Sequence, residues 1–132
     1  MTVSTRRLAR RHAPILGLAA AATLAAAAPA LGHSEQRATS PAQGATLSSL
    51  PKQVTVTYAG PMARVRAAKA TRNRKGNLVK GVRLSKGDAR RVVITLTRPG
   101  PRSQNGTYRV AWTVTGGDGH TQGGLLTFRV RR

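Results

Sequence analysis

Cysteine is missing altogether from the 132 residues, so neither disulfides nor thiolate metal sites are available. One hydrophobic core must hold any fold unaided by covalent crosslinks. Acids are nearly missing as well: Glu35, Asp88 and Asp118 stand against 23 lysines and arginines, a formal net charge of +20. Aromatics number four, one Trp, two Tyr and one Phe, which leaves little stacking surface for a polysaccharide or a nucleic acid. Histidine occurs three times, at His12, His33 and His120. With so few, a nucleophile, a base and a group to orient it are hard to assemble, which argues against hydrolytic catalysis. Past the N-terminal segment, nothing approaches the ~20 apolar residues that a membrane span needs.

What is present begins with an export signal. Arg6, Arg7, Arg10 and Arg11 form a positive start, and Ala13 to Ala28 is an alanine-rich apolar stretch. Ala30-Leu31-Gly32 then sets small residues third-last and last before a cut, as signal peptidase requires. The reading is a signal peptide over 1–32 and an exported domain over 33–132, with residence in the periplasm or outside the cell. The arginine pair in Ser4-Thr5-Arg6-Arg7-Leu8 leaves both the general and the folded-protein export routes open. The leader's four arginines account for four of the +20 charges, leaving +16 on residues 33–132. Such a field attracts anionic lipid or cell-wall phosphate; export removes the protein from nucleic acid.

Residues 33–51 are rich in Ser, Ala, Pro and Gly, with a turn at Ser40-Pro41-Ala42-Gln43-Gly44. From Gln53 the pattern alternates: Val54, Val56 and Tyr58 against Thr55 and Thr57, a half-buried strand. Val65 to Ala70 is a weaker strand, followed by a basic turn over 71–77. Leu78 to Leu84 and Val92 to Thr97 are further strands, with Arg98-Pro99-Gly100-Pro101 as a break. The clearest strand is Thr107 to Thr115, with Tyr108, Val110, Trp112 and Val114 on one face. Gly124 to Val130 returns beside it, so the two form a hairpin whose loop carries Asp118 and His120. Trp112 and Tyr108 belong to the core in this reading, the tyrosine bonding backbone at a strand corner. No stretch after residue 32 has useful helical periodicity. The pattern predicts one all-β domain, an immunoglobulin-like sandwich or barrel.

Cleavage after Gly32 would make His33 the first residue, offering two nitrogens from one side of the chain, its α-amine and its imidazole. A free α-amine has a reference pKa of about 7.7–8.0, so a metal displaces its proton cheaply near neutral pH. Asp118-Gly119-His120 would add a second imidazole and a carboxylate. An N,N,N,O set of this kind suits a tetragonal Cu(II) ion. The overall positive field opposes a dication, but coordination acts at contact while surface charge is screened over ~8 Å. Asp and Gly are also ordinary hairpin-loop residues, and a loop histidine is commonly solvated. Periodicity alone does not tell whether His33 and the loop meet.

The chain resembles the copper-resistance protein C (CopC) family of periplasmic copper-binding proteins. The resemblance rests on His33, Ser40-Pro41-Ala42-Gln43-Gly44, Leu50-Pro51 before Val54-Thr55-Val56-Thr57-Tyr58, and Gly106-Thr107-Tyr108-Arg109-Val110-Ala111-Trp112. Asp118-Gly119-His120, Gly124 and Phe128-Arg129-Val130 complete it. It implies a Greek-key β-sandwich or barrel bringing the N-terminus beside the late loop. It also implies one Cu(II) held by the α-amine and imidazole of His33 and the imidazole of His120, with Asp118 axial or close by. A role in copper resistance, homeostasis or delivery to a membrane copper importer follows, as a monomer and without enzymatic activity. Three departures stand out. Gly60-Pro61 occupies a place where relatives often carry a glutamate that supports the ligands. Met62 is the single methionine after the leader, so Cu(I) coordination by thioethers has no basis here. Thr121 stands where many relatives have proline.

Two other functions compete. A histidine-brace copper oxygenase would share His33 and His120 but needs an open coordination position and a substrate-holding surface, which four aromatics scarcely provide. A metal-free polyanion-binding module would need only the charge.

Overall fold

Alternation decides the architecture. In the computed structural model, which describes residues 34–132, Val54, Val56 and Tyr58 are buried while the threonines between them are half-buried. The leader, the position of its cut and His33 lie outside the described residues. The strands are β1 (Gln36–Ser40), β2 (Thr46–Leu47), β3 (Gln53–Tyr58), β4 (Met62–Arg72), β5 (Val79–Ser85), β6 (Asp88–Leu96), β7 (Gly106–Gly116) and β8 (Thr121–Val130). A single 3-10 turn, Pro101–Ser103, sits in the proline-rich break. The strands make two four-stranded sheets, ordered β1-β3-β6-β5 and β2-β8-β7-β4. The short β2 runs parallel to β8; every other pairing is antiparallel. The chain crosses between sheets repeatedly, giving the all-β, immunoglobulin-like sandwich expected. Among the described residues, no helix is long and apolar enough to cross a membrane.

The core lies between the inner faces, with Val54, Val56, Val92 and Ile94 from one sheet and Tyr108, Val110, Val114, Leu126 and Phe128 from the other. Tyr108 and Phe128 are cross-strand partners whose rings stack with centroids 5.3 Å apart. The Tyr108 hydroxyl donates to the Gln104 carbonyl at 2.5 Å, the strand-corner bond expected of it. Gln104 is itself buried, and both ends of its amide are engaged. Its Oε1 accepts from the Leu50 amide at 2.9 Å and its Nε2 donates to the Pro99 carbonyl at 3.0 Å. Without that side chain the buried Leu50 N–H would stand unpaired, which costs about 1–3 kcal/mol.

Three differences from the sequence expectation have clear causes. β1 lies in a segment read as loop and turn, because its residues are almost all exposed and it has no apolar alternation to show. Its order comes from backbone pairing with β3. β4 runs well beyond Val65 to Ala70, yet its register shifts between Met62 and Arg64 and again between Val65 and Ala67. Two bulges space the inward residues Met62, Val65, Ala68 and Ala70 unevenly, which erases the period of two. β6 starts earlier than Val92, at Asp88, since its first four residues include no buried apolar side chain to show a period.

Candidate metal centre

β7 and β8 pair without a break from Gly106 opposite Val130 to Thr115 opposite Thr121, so the loop between them is short and firmly held. The Gly116 amide donates to the His120 carbonyl at 2.8 Å, and the Gly119 amide donates to the Gly116 carbonyl at 3.0 Å. Gly119 adopts φ +85°, a left-handed conformation that glycine takes at no steric cost. Within this frame the Asp118 side chain folds back over the turn. Its Oδ1 accepts the His120 backbone N–H at 3.0 Å, and its Oδ2 lies 3.2 Å from His120 Nδ1. A Cβ at Gly116 would stand 2.8 Å from Asp118 Oδ1, so the fold-back needs a glycine there. The carboxylate and imidazole thus stand side by side in the loop. A ring whose Nδ1 faces a carboxylate turns its Nε2 away from it, the arrangement common for metal-ligating histidines.

The other walls come from distant parts of the chain. The Gly117 amide donates to the Pro61 carbonyl at 3.0 Å, tying the loop to the turn after β3. The Ala59 amide donates to the Glu35 carbonyl at 2.8 Å, which ties the same turn to the first described residues. Ser34, Glu35, Ala59, Gly60 and Pro61 thus face Gly117 and Asp118 across one cleft of about 550 Å³. Ser34 is the residue immediately after His33, and it lies at the same end of the sandwich as Asp118. Gly60 has a steric task here: a Cβ on it would approach Ser34 Oγ to 2.5 Å. No glutamate stands at that position, but Glu35 lines the same cleft, its exposed carboxylate 3.5 Å from Arg37. Two of the protein's three acids therefore border this cleft. The third, Asp88, sits at the β5–β6 turn beside Arg90, and its carboxyl is held below the ordinary value chiefly by the Arg90 backbone N–H.

Gln122 is the residue of this site that sequence reasoning missed. It sits at an inward position of β8, in phase with Gly124 and Leu126. Its Nε2 donates to the Ser34 carbonyl at 3.1 Å and approaches Met62 Sδ at 3.7 Å. It thereby fastens the start of the domain to the strand that follows the loop. The available signal was a polar residue in phase with an apolar face. Met62 is buried in the core, in keeping with packing rather than ligation. Among the described residues, no group of three His, Cys, Asp or Glu side chains comes together. Asp118 and His120 form a pair, and any further donor must come from elsewhere.

In the core, Trp112 Nε1 donates to the Tyr58 hydroxyl at 2.8 Å, and both rings are buried. Burial raises the Tyr58 pKa above the ordinary 10.0, against a smaller lowering by the Trp112 hydrogen bond. As pH climbs past about 10, the unfolded chain ionises this phenol before the folded one does. Stability contributed by the neutral phenol is thus complete below that pH and is lost above it. Thermal melts followed by circular dichroism should show a falling midpoint over that alkaline range, and a shallower fall in Tyr58→Phe.

A two-sheet sandwich with the N-terminal segment and a late Asp-x-His loop at one end defines a class of small β domain with an end-on site. A CopC domain model matches residues 36–131, and the chain belongs to the CopC family. Solved structures with the same fold include CopC from Methylosinus trichosporium OB3b, with 22% identity and a TM-score of 0.62 over 74% of this chain and 93% of that one. PcoC, a copper resistance protein from Escherichia coli, aligns with 21% identity and a TM-score of 0.60 over 74% of this chain and 99% of its own. A second structure, described as methionine-rich PcoC, gives 22%, 0.60, 75% and 99%. No curated protein sequence matches the chain.

Proposed function

We propose that the chain is an exported, non-enzymatic copper-binding protein of copper resistance or homeostasis. In this reading cleavage after Gly32 exposes His33, and residues 33–132 form the working domain. One Cu(II) is held by the α-amine and imidazole of His33 and the imidazole of His120, with the Asp118 carboxylate orienting His120 or approaching the ion. The observation that carries the proposal is the position of Ser34. Its carbonyl is bonded by Gln122 and it shares a cleft with Asp118, so the preceding residue has only one peptide unit to travel. Family membership supports copper as the metal, and the names of the structural neighbours concern copper resistance. The donor chemistry fits: imidazole and amine nitrogens with one carboxylate suit Cu(II), and a single buried Met62 is a poor basis for Cu(I). Hand-over to a membrane copper importer is the natural consequence of a site built at one exposed end.

Electron paramagnetic resonance of the exported, copper-loaded protein tests the ligand set. The expected spectrum is that of a tetragonal Cu(II) with hyperfine structure from three nitrogens. A spectrum with one nitrogen or none would overturn the proposed donors.

A further inference from the structure

We propose that the outer face of the β2-β8-β7-β4 sheet docks on anionic membrane surfaces. Residues directly opposite on antiparallel strands point to the same side, so the pairings Lys69–Ala111, Arg109–Thr127 and Thr107–Arg129 fix what this face presents. It presents Lys69, Arg109 and Arg129, all exposed, with threonines between them. Thr107 is shared by two neighbouring hollows of about 280 and 330 Å³. Arg74 and Arg109 line the first with Asn73, and Arg129 and Arg131 line the second with Thr46. Each hollow thus combines two guanidinium groups with a hydroxyl, the donor set that binds a phosphodiester. No acid lines either one.

Charge alone would fit any phosphate polymer. Leu125 decides for a bilayer. Among the described residues it is the one large hydrophobic side chain left exposed, at 56%. It pairs with Ala111, whose other neighbour is Lys69, so it sits on this same face in the middle of the cations. A cationic sheet face with one apolar side chain matches lipid head groups above a hydrocarbon layer. The outer face of the other sheet has cations too, at Arg83 and Arg91, but no exposed large apolar residue. At about 3.3 Å per residue along β7, Arg109 is roughly 25 Å from the Asp118 loop. The cleft therefore stays open while the face is docked, and the proposal does not depend on copper.

The test is retention of the exported protein on vesicles of neutral lipid with and without phosphatidylglycerol, at low and raised salt. The parent should bind the anionic vesicles at low salt and release as salt rises. Arg109→Ser with Arg129→Ser should weaken retention roughly 30-fold, equivalent to about 1 kcal/mol per cation. Leu125→Ser should weaken it about tenfold while leaving binding to soluble polyphosphate unchanged. Arg83→Ser with Arg91→Ser serves as the charge-matched control on the other sheet, and Arg109→Lys should restore most of the retention. Thermal midpoints near the parent's show that each variant is folded. Equal losses from the two double variants would overturn the proposal in favour of a non-directional field. Retention unmoved by Leu125→Ser would overturn it in favour of a soluble phosphate polymer.

Discussion

One residue added ahead of His33 should abolish stoichiometric Cu(II) binding. Calorimetry on the exported protein is expected to show one Cu(II) per chain, and on the extended protein an affinity lower by more than about 100-fold. Changing a residue that merely supports a ligand commonly costs 10–100-fold, and the extension removes a ligand outright. The mechanism is chemical rather than steric. An α-amine gives up its proton near neutral pH, whereas an amide nitrogen inside a chain is a far poorer donor. The extension also leaves every contact of the cleft in place: the Gln122 bond to the Ser34 carbonyl, the Ala59 bond to Glu35 and the Gly117 bond to Pro61. A lost affinity with an unchanged melting curve in the absence of metal would therefore report on the amine itself. Binding that survives the extension would strike it from the ligand set.

The second large effect concerns stability. Gly124→Ala should lower it by about 3 kcal/mol, since a Cβ there would lie 2.2 Å from Trp112 Cζ2 and 2.6 Å from Cε2. Trp112 is the cross-strand partner of Gly124, and its indole lies over the space that the glycine leaves. The ring has little freedom to retreat. It is buried, and its Nε1 is committed to the Tyr58 hydroxyl across the sandwich. For a domain of this size the loss corresponds to a fall in Tm of roughly 12–24 °C, measurable by differential scanning calorimetry. An unchanged Tm would mean that the indole can shift without breaking its bond.

The elements legible in the sequence are those in which burial imposes a period of two. β3 and β7 show it plainly, and β7 with β8 declares itself a hairpin through the glycines and Asp118 between them. β4 hid its length because its bulges shift the inward residues out of phase, and β1 hid altogether because an exposed edge strand has no apolar face. At the candidate site, Asp118 and His120 were singled out by their spacing and by the scarcity of acids and histidines, and the structure sets them side by side. Their contact is made by the Asp118 fold-back within the turn, which residue spacing does not specify. Gln122 escaped notice, and Gly60-Pro61 registered only as a departure from the family's glutamate, because what they do depends on where Ser34 and the loop meet, and contact between sheets is not written in any one segment. Glu35 illustrates the same point. In sequence it is only one of three scattered acids and its side chain is exposed, yet the fold sets it on the rim of the cleft that holds Asp118.

β8 starts beside the Asp118 loop and runs ten residues away from it, a distance of roughly 30 Å, so the chain's final arginines lie at the far pole of the sandwich. An affinity handle or fluorescent reporter fused behind Arg132 would therefore leave the opposite pole untouched, whereas one fused in front of the domain would occupy it. If the α-amine of His33 is a ligand as proposed, even a short N-terminal scar left by purification would make a competent metalloprotein look inert.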